Sequence, residues 1–277
     1  MGTLYVVSTP IGNLEDITLR AIRVLSEVSL IAAEDTRTTR KLLARYNIHV
    51  PLLSYNEHNA DSRHSKIFSV LNKGDVALVS EAGTPAVSDP GARLIHAVVE
   101  RNHNVTPIPG ASAVTTAVSV SGLSGDAFCF LGFLPRVRRS RLKVLRTIAN
   151  LNMTLIVFES PHRIRFCLED MISILGDRQI IIGRELSKLH EEFYRGSLSG
   201  AHEYFQNPRG EFVLVISGDA VLSNQGLPPT NEPDIMKNEL LRQQLTLLKA
   251  SGISIREAAT QVGLNRRWIY KLWQDLS

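Results

Sequence analysis

The chain lacks the features that define several protein classes. It has only two cysteines, Cys129 and Cys167, both inside apolar runs and without CxxC spacing. That argues against a disulfide framework or a zinc site and fits a reducing compartment. No apolar run approaches the length of a membrane span, so no membrane partner is expected. The opening residues, MGTLYVVSTP, show no basic leader followed by a long apolar stretch, and the expectation is a cytoplasmic protein. No group of His, Cys, Asp and Glu has metal-ligand spacing, so no metal is expected. The formal net charge is only +4, too small to argue from, so the distribution of charge matters more. With 44% hydrophobic and 21% charged residues, the 277-residue chain reads as an ordinary globular protein with room for two domains.

Short apolar runs alternate with helical patterns. LYVVS (4–8), SLIAAE (29–34), PLLSY (51–55), DVALVS (75–80) and NVTPI (104–108) read as strands. Residues 18–28, 37–45, 60–72 and 90–101 read as amphipathic helices between them. This alternation implies a parallel sheet covered on both faces. A second set of strands follows at 127–133, 153–159, 179–185, 191–197 and 211–217, with helices at 138–150 and 161–175. GRELSKLHEEFYRG leaves no room for a crossover helix, so that strand pair should be antiparallel and the second sheet mixed. The expected organisation is an α/β fold of two domains, 1–115 and 116–220, with a crevice between them. A Pro-, Gly- and Asn-rich linker (221–233) and a small helical domain (234–277) follow.

The strand-end loops carry the chemistry. The first strand runs into STPIGNLEDITLRA, where Pro10, Gly12 and Asn13 turn the chain and Thr18 is a candidate helix cap. G-x-G-x-x-G spacing is missing there, which leaves dinucleotide binding poorly supported. SEAGTPAVSDPG (80–91) follows the fourth strand and holds neither Lys nor a Gly-Lys-Ser/Thr pair. In it, Ser88 or Asp89 is expected to cap the next helix and Pro90 to open it. The remaining EAGTP is longer than a cap requires and suits close backbone approach to a ligand. PGASAV (109–114) follows the fifth strand and leaves amides at Ser112 and Ala113. Three such loops should converge on one crevice. EDTR (34–37), FESPHR (158–163) and RELSKLHEE (184–192) each set charges at the end of an apolar strand. Asp35 reads either as a helix cap or, with Glu34 and Arg37, as part of a charged cluster at the crevice mouth.

Two segments are basic. PRVRRSRLKVLR (135–146) contains Arg136, Arg138, Arg139, Arg141, Lys143 and Arg146 with no acid. SIREAATQVGLNRRWIYKLW (254–273) has the look of a helix-turn-helix and adds Arg256, Arg266, Arg267 and Lys271 among Trp268, Tyr270 and Trp273. Trp268, Ile269 and Leu272 also suit burial against the partner helix. Two basic surfaces favour a nucleic-acid partner.

VVSTPIGNLEDITLRA, EDTR, SEAGTPAVSDPG, PGASAV, GFLP, FESPHR and RELSKLHEE, in that order, resemble the ribosomal RNA small subunit methyltransferase I family. That family belongs to the tetrapyrrole-methylase-like class of S-adenosylmethionine enzymes, and the resemblance runs from residue 4 to about 217. It implies a two-domain α/β enzyme, usually a homodimer, acting on small-subunit ribosomal RNA or the assembled subunit. The implied reaction is 2′-O-methylation of a cytidine in 16S RNA. It further implies S-adenosylmethionine contacts at Pro10, Ala82, Gly83, Thr84, Val87, Ser112, Ala113, Phe158 and Glu159. Glu81, Ala86–Val87 and Ala111 stand where Asp, Gly-Ile and Pro are common in the family. A methyl donor without phosphate explains a loop without Lys, since Lys would repel a sulfonium.

A 2′-hydroxyl is a weak acid, so a base is required. The candidates are Glu34, Asp35, Glu81, Glu159 and Lys188, with a carboxylate of the EDTR or SEAG loop preferred and Arg37 expected to hold a neighbouring phosphate. Arg136, Arg138, Arg139, Arg141 and Lys143, with Arg266, Arg267 and Lys271, are the expected RNA contacts. Two alternatives remain: a related methyltransferase acting on a tetrapyrrole or other small molecule, and a non-enzymatic nucleic-acid-binding protein.

Overall fold

The structure, a computed structural model, describes residues 2–218, 245–249, 251, 253–255, 257–258 and 266–274. Strands β1 (Thr3–Val7), β2 (Leu30–Ala33), β3 (Leu52–Ser54), β4 (Val76–Val79) and β5 (Asn104–Ile108) form one sheet in the order β3-β2-β4-β1-β5. Its pairings are all parallel. Helices α1 (Leu19–Glu27) and α2 (Thr36–Arg45) cover one face, and α3 (Ala60–Leu71) and α4 (Ala92–Glu100) the other. Along β4, Ala77 and Val79 pack with Val24 and Leu42, whereas Val76 and Leu78 pack with Ile67 and Leu94. The pleat sends alternate residues to opposite cores, and both are apolar because both faces are covered.

This topology places the site. β1 and β4 are neighbours, yet the chain leaves β1 toward the α1 face and leaves β4 toward the α4 face. This change of face marks a crevice at the carboxyl edge of the sheet. Two caps form as expected: Thr18 accepts from the Ala21 amide at 3.1 Å, and Asp35 from the Arg37 amide at 2.7 Å. The expected start of α4 is corrected. Gly91, at φ +142°, precedes Ala92, so Ser88, Asp89 and Pro90 stay in the loop and none of them caps the helix. Only a residue without Cβ takes that φ easily, and the turn it makes frees Asp89 from the capping role.

The second sheet comprises β6 (Phe128–Phe133), β7 (Thr154–Glu159), β8 (Gln179–Arg184), β9 (Glu192–Ser197) and β10 (Phe212–Ile216), ordered β6-β7-β10-β8-β9. It is mixed: β6 and β7 are parallel, the other neighbours antiparallel, including β8 and β9. Helices α6 (Arg138–Ile148), α7 (Ile164–Leu175) and α8 (Leu198–Tyr204) build the core on one face. The pattern did not signal α8. It is a seven-residue helix that starts on the Ser197 cap and buries Leu198 and Ala201. On the other face lies α5 (Ala113–Ser119), with Val114 and Ala117 against Ile156, Val213 and Val215. The chain therefore passes from one sheet to the other at residues 109–112.

One expected RNA contact is corrected here. Arg141 is 6% exposed and bonds to the Asp170 carboxylate of α7 and to the carbonyls of Pro135 and Arg136. No acid lies within the segment itself, but α7 supplies one. Arg136, Arg138, Arg139 and Lys143 remain exposed.

Residues 220–277 form a separate compact unit. Within it Leu245, Ala258, Ile269 and Leu272 share a small core. Ser254 and Glu257 exchange amide-to-side-chain hydrogen bonds as a capping box. The expected linker, the turn at Gly263 and the side chains of Arg256, Arg266, Arg267, Trp268 and Lys271 lie outside the described residues. Among the described residues no helix is long and apolar enough to cross a membrane.

Candidate functional site

Loops from both sheets enclose a cavity of about 610 Å³. Each residue expected to contact the cofactor lies on its wall. Pro10 comes from the loop after β1, and Ala82, Gly83, Thr84 and Val87 from the loop after β4. Ser112 and Ala113 come from the turn into α5, and Phe158 and Glu159 from the end of β7. The first two loops are fastened to each other. Thr9 and Gly83 exchange amide-to-carbonyl hydrogen bonds of 2.9 and 3.0 Å, and the hydroxyls of Ser8 and Thr84 lie 2.8 Å apart. The Asn13 amide donates to Ser187 Oγ at 3.0 Å and joins the loop after β1 to the loop after β8.

The loop after β4 holds a strained residue. Ala86 sits at φ +67°. A left-handed conformation costs a residue with a Cβ about 1–2 kcal/mol, and the extra unfolded-state freedom of Gly offsets roughly 0.5–1 of that. Ala86→Gly is expected to leave stability unchanged or raise it by up to about 1 kcal/mol, measured by chemical denaturation. A loss of more than that would mean the methyl group packs usefully.

Three carboxylates meet at one side of the cavity wall: Glu34 from the end of β2, and Glu81 and Asp89 from the loop after β4. The Glu81 amide donates to Glu34 Oε2 at 3.1 Å. Burial raises the Glu34 pKa, and the charges of Glu81, Glu57 and Asp35 add to it against the Glu81 amide bond. Asp89 is pushed up to about 6, first by burial and then by the charge of Glu34 and, more weakly, Glu81, against the Ser80 hydroxyl. Desolvation and like charge both disfavour ionisation, so Asp89 holds its proton more tightly than an ordinary carboxyl and gives it up closer to neutrality.

The other base candidates are differently engaged. Asp35 caps α2 and pairs with Arg37 at 2.9 Å, which holds its pKa down at about 2. Neither Asp35 nor Arg37 lines the cavity, and the Arg37 side chain is 84% exposed. Glu159 is fully buried, accepts from the Ser160 amide at 2.8 Å, and lies 3.2 Å from the Arg163 guanidinium. Burial opposes the charge on Lys188, but its contacts with Glu211 at 2.8 Å and Glu185 at 3.0 Å outweigh that, and its pKa is raised. A paired ammonium of raised pKa is a poor base.

Among the wall residues that the sequence reading gave no site role are Asp89 and Phe133. Asp89 carried a signal, but SDPG has a complete local explanation as a helix cap. Phe133, at the end of β6, lay in the quoted GFLP with no role given to it; it is 55% exposed and lines the cavity.

A wall with five carboxylates and a single, neutralised Lys suits a cationic ligand without phosphate. A family model for tetrapyrrole (corrin/porphyrin) methylases matches residues 3–201. The fold agrees. A uroporphyrin-III C-methyltransferase from Thermus thermophilus complexed with S-adenyl homocysteine superposes with a TM-score of 0.56 at 18% identity, over 80% of this chain and 100% of that one. A diphthine synthase superposes at 0.61 with 16% identity, over 79% of this chain and 90% of that one. Fold and site together define a methyltransferase of the tetrapyrrole methylase class.

Curated relatives narrow the class. A ribosomal RNA small subunit methyltransferase I from Synechocystis sp. is 44% identical across 100% of this chain and 99% of its own length. The Thermotoga maritima protein of that name is 48% identical over 79% of this chain and 99% of its own. The chain belongs to the ribosomal RNA small subunit methyltransferase I family.

Proposed function

We propose that this chain methylates the 2′-hydroxyl of a cytidine in 16S ribosomal RNA, with S-adenosylmethionine as donor. The observation that carries the reading is a carboxylate-walled cavity with a single, paired Lys, on a chain that also presents a segment of exposed arginines. The residues present fit the donor. Pro10, Ile11, Val87 and Phe158 offer apolar surface for an adenine, and the carboxylates suit a positive sulfur. When bound, the donor supplies an electrophilic methyl group. The chain's own part is positioning and proton removal. The fastened loops after β1 and β4 would keep donor and acceptor in position for transfer. Asp89, ionised above about pH 6, takes the proton that the 2′-oxygen sheds. Glu34 and Glu81 keep that pKa high.

A small acceptor needs no arginine-rich segment, and this is what weighs against a tetrapyrrole substrate. Arg136, Arg138, Arg139 and Lys143 are the proposed RNA contacts on α6 and the loop before it. The helical unit at 220–277, with Arg266, Arg267 and Lys271, is proposed to dock RNA and take no part in the chemistry. A homodimer is proposed as the working form.

The test is direct. Calorimetry should show S-adenosylmethionine binding, and label from its methyl group should appear on one cytidine 2′-oxygen of naked RNA or of the assembled small subunit. A chain ending at Gly218 should bind the donor but lose RNA affinity. Label on a base, or only on a porphyrin, would overturn the reading.

A further inference from the structure

Phe133 is a large apolar side chain left more than half exposed on the cavity wall. It does not float free. Its ring lies 5.8 Å from that of Phe158 at 64°, and Phe158 lies 4.9 Å from Phe130 at 66°, so edge-to-face contacts hold it from behind. β6 is an edge strand of its sheet, and its register with β7 shifts between Phe130 and Phe133. Such an irregularity re-aims a side chain. Gly132 is at φ +60°, and a Cβ there would stand 2.6 Å from Ser88 Oγ, so the two sheets nearly touch at this point. Phe133 follows Gly132 and Asp89 follows Ser88. An exposed aromatic and the proposed base are therefore brought to the same rim from opposite domains. Immediately beyond, Arg136 and Arg139 are exposed, and no carboxylate pairs with either among the described residues.

Aromatic platforms stack unpaired bases, and flanking guanidinium groups hold the adjoining phosphates. We propose that Phe133 is the stacking platform for the base of the target nucleotide, with Arg136 and Arg139 holding its neighbouring phosphates. The inference rests on the RNA-methylation reading and extends it to the acceptor subsite. The target nucleotide must leave its base stack to reach the cavity, and Phe133 replaces the lost stacking.

The experiment compares wild type with Phe133→Ala, Phe133→Leu and Phe133→Trp, using assembled small subunits that lack the modification. Three quantities are read: kcat/KM for methyl transfer, anisotropy of a labelled single-stranded RNA spanning the target, and donor affinity by calorimetry. Ala and Leu should each lower kcat/KM roughly five- to hundredfold and weaken RNA binding, while Trp restores both and donor affinity stays constant in all. Leu performing as well as Trp would overturn stacking. A donor affinity that falls in step with activity would assign Phe133 to the cofactor and overturn the proposal. If wild type itself transfers no methyl group to RNA, the functional reading fails, independently of the variants.

Discussion

Asp89→Asn is expected to lower the single-turnover rate of methyl transfer at pH 7 by about 10²–10⁴, the usual share of a general base. Donor affinity should fall far less than the rate, because the substitution keeps shape and removes one of several wall carboxylates along with the proton acceptor. The wild-type rate should rise through about pH 6 and then level, since Asp89 must be ionised to act. Glu34→Gln should move that rise to lower pH, because one of the charges resisting Asp89 ionisation is gone. Stability should move the opposite way from activity. The native pKa lies above the ordinary carboxylate value, so the folded state holds the proton more tightly and stability falls as pH rises between about 4 and 6. Asp89→Asn should therefore be more stable than wild type at pH 7, with the gain fading as pH drops toward 4. A variant that is inactive and also destabilised at neutral pH would point to a structural role instead. If Asp89→Asn, Glu34→Gln and Glu81→Gln all kept the wild-type rate, no carboxylate of this cluster would be the base.

Asp170→Ala is expected to give the largest loss of stability among charged residues of the described fold. The Asp170 side chain is 2% exposed and stands 2.6 Å from the Arg141 guanidinium, itself 8% exposed as a side chain, and 2.8 Å from Arg138. Removing it leaves the Arg141 charge buried without a counter-ion, which typically costs about 3–5 kcal/mol. Thermal unfolding should drop on the order of 10 °C. Arg138→Ala should cost no more than about 1 kcal/mol, because that side chain is 72% exposed and water screens the pair. The damage should also reach RNA binding. Arg141 donates to the carbonyls of Pro135 and Arg136, and Arg163 donates to that of Leu134 at 2.6 Å. The segment joining Phe133 to α6 is thus held from beneath by two guanidinium groups. With Asp170 gone, RNA affinity should weaken while donor binding persists. Equal stability of Asp170→Ala and Arg138→Ala in denaturant titrations would show that Arg141 finds another partner.

Much of this protein was legible in order along the chain. Apolar runs separated by amphipathic helices required a parallel sheet, and the short link before β9 required an antiparallel partner. The small-residue turns after β1, β4 and β5 marked the cavity, because such loops lie at the carboxyl ends of adjacent strands. The caps at Thr18 and Asp35 were equally readable, since they depend on neighbours within three residues. Asp35 also shows the limit. One local pattern supports both a cap and a base, and only its distance from the cavity wall separates them.

Tertiary structure decided what depends on partners far apart in the chain. Arg141 looked like one more cation on a basic helix until Asp170, on the next helix, drew it into the core. Asp89 looked like a cap until the φ of Gly91 released it, and burial with Glu34 then gave it a proton to lose near neutrality. Phe133 met the same loop only because two separate sheets close to within contact at Gly132 and Ser88. Periodicity and capping are local and can be read along the chain. Burial, ion pairing and pKa depend on what lies across space, so the order of the elements followed from sequence and the chemistry of individual side chains from packing.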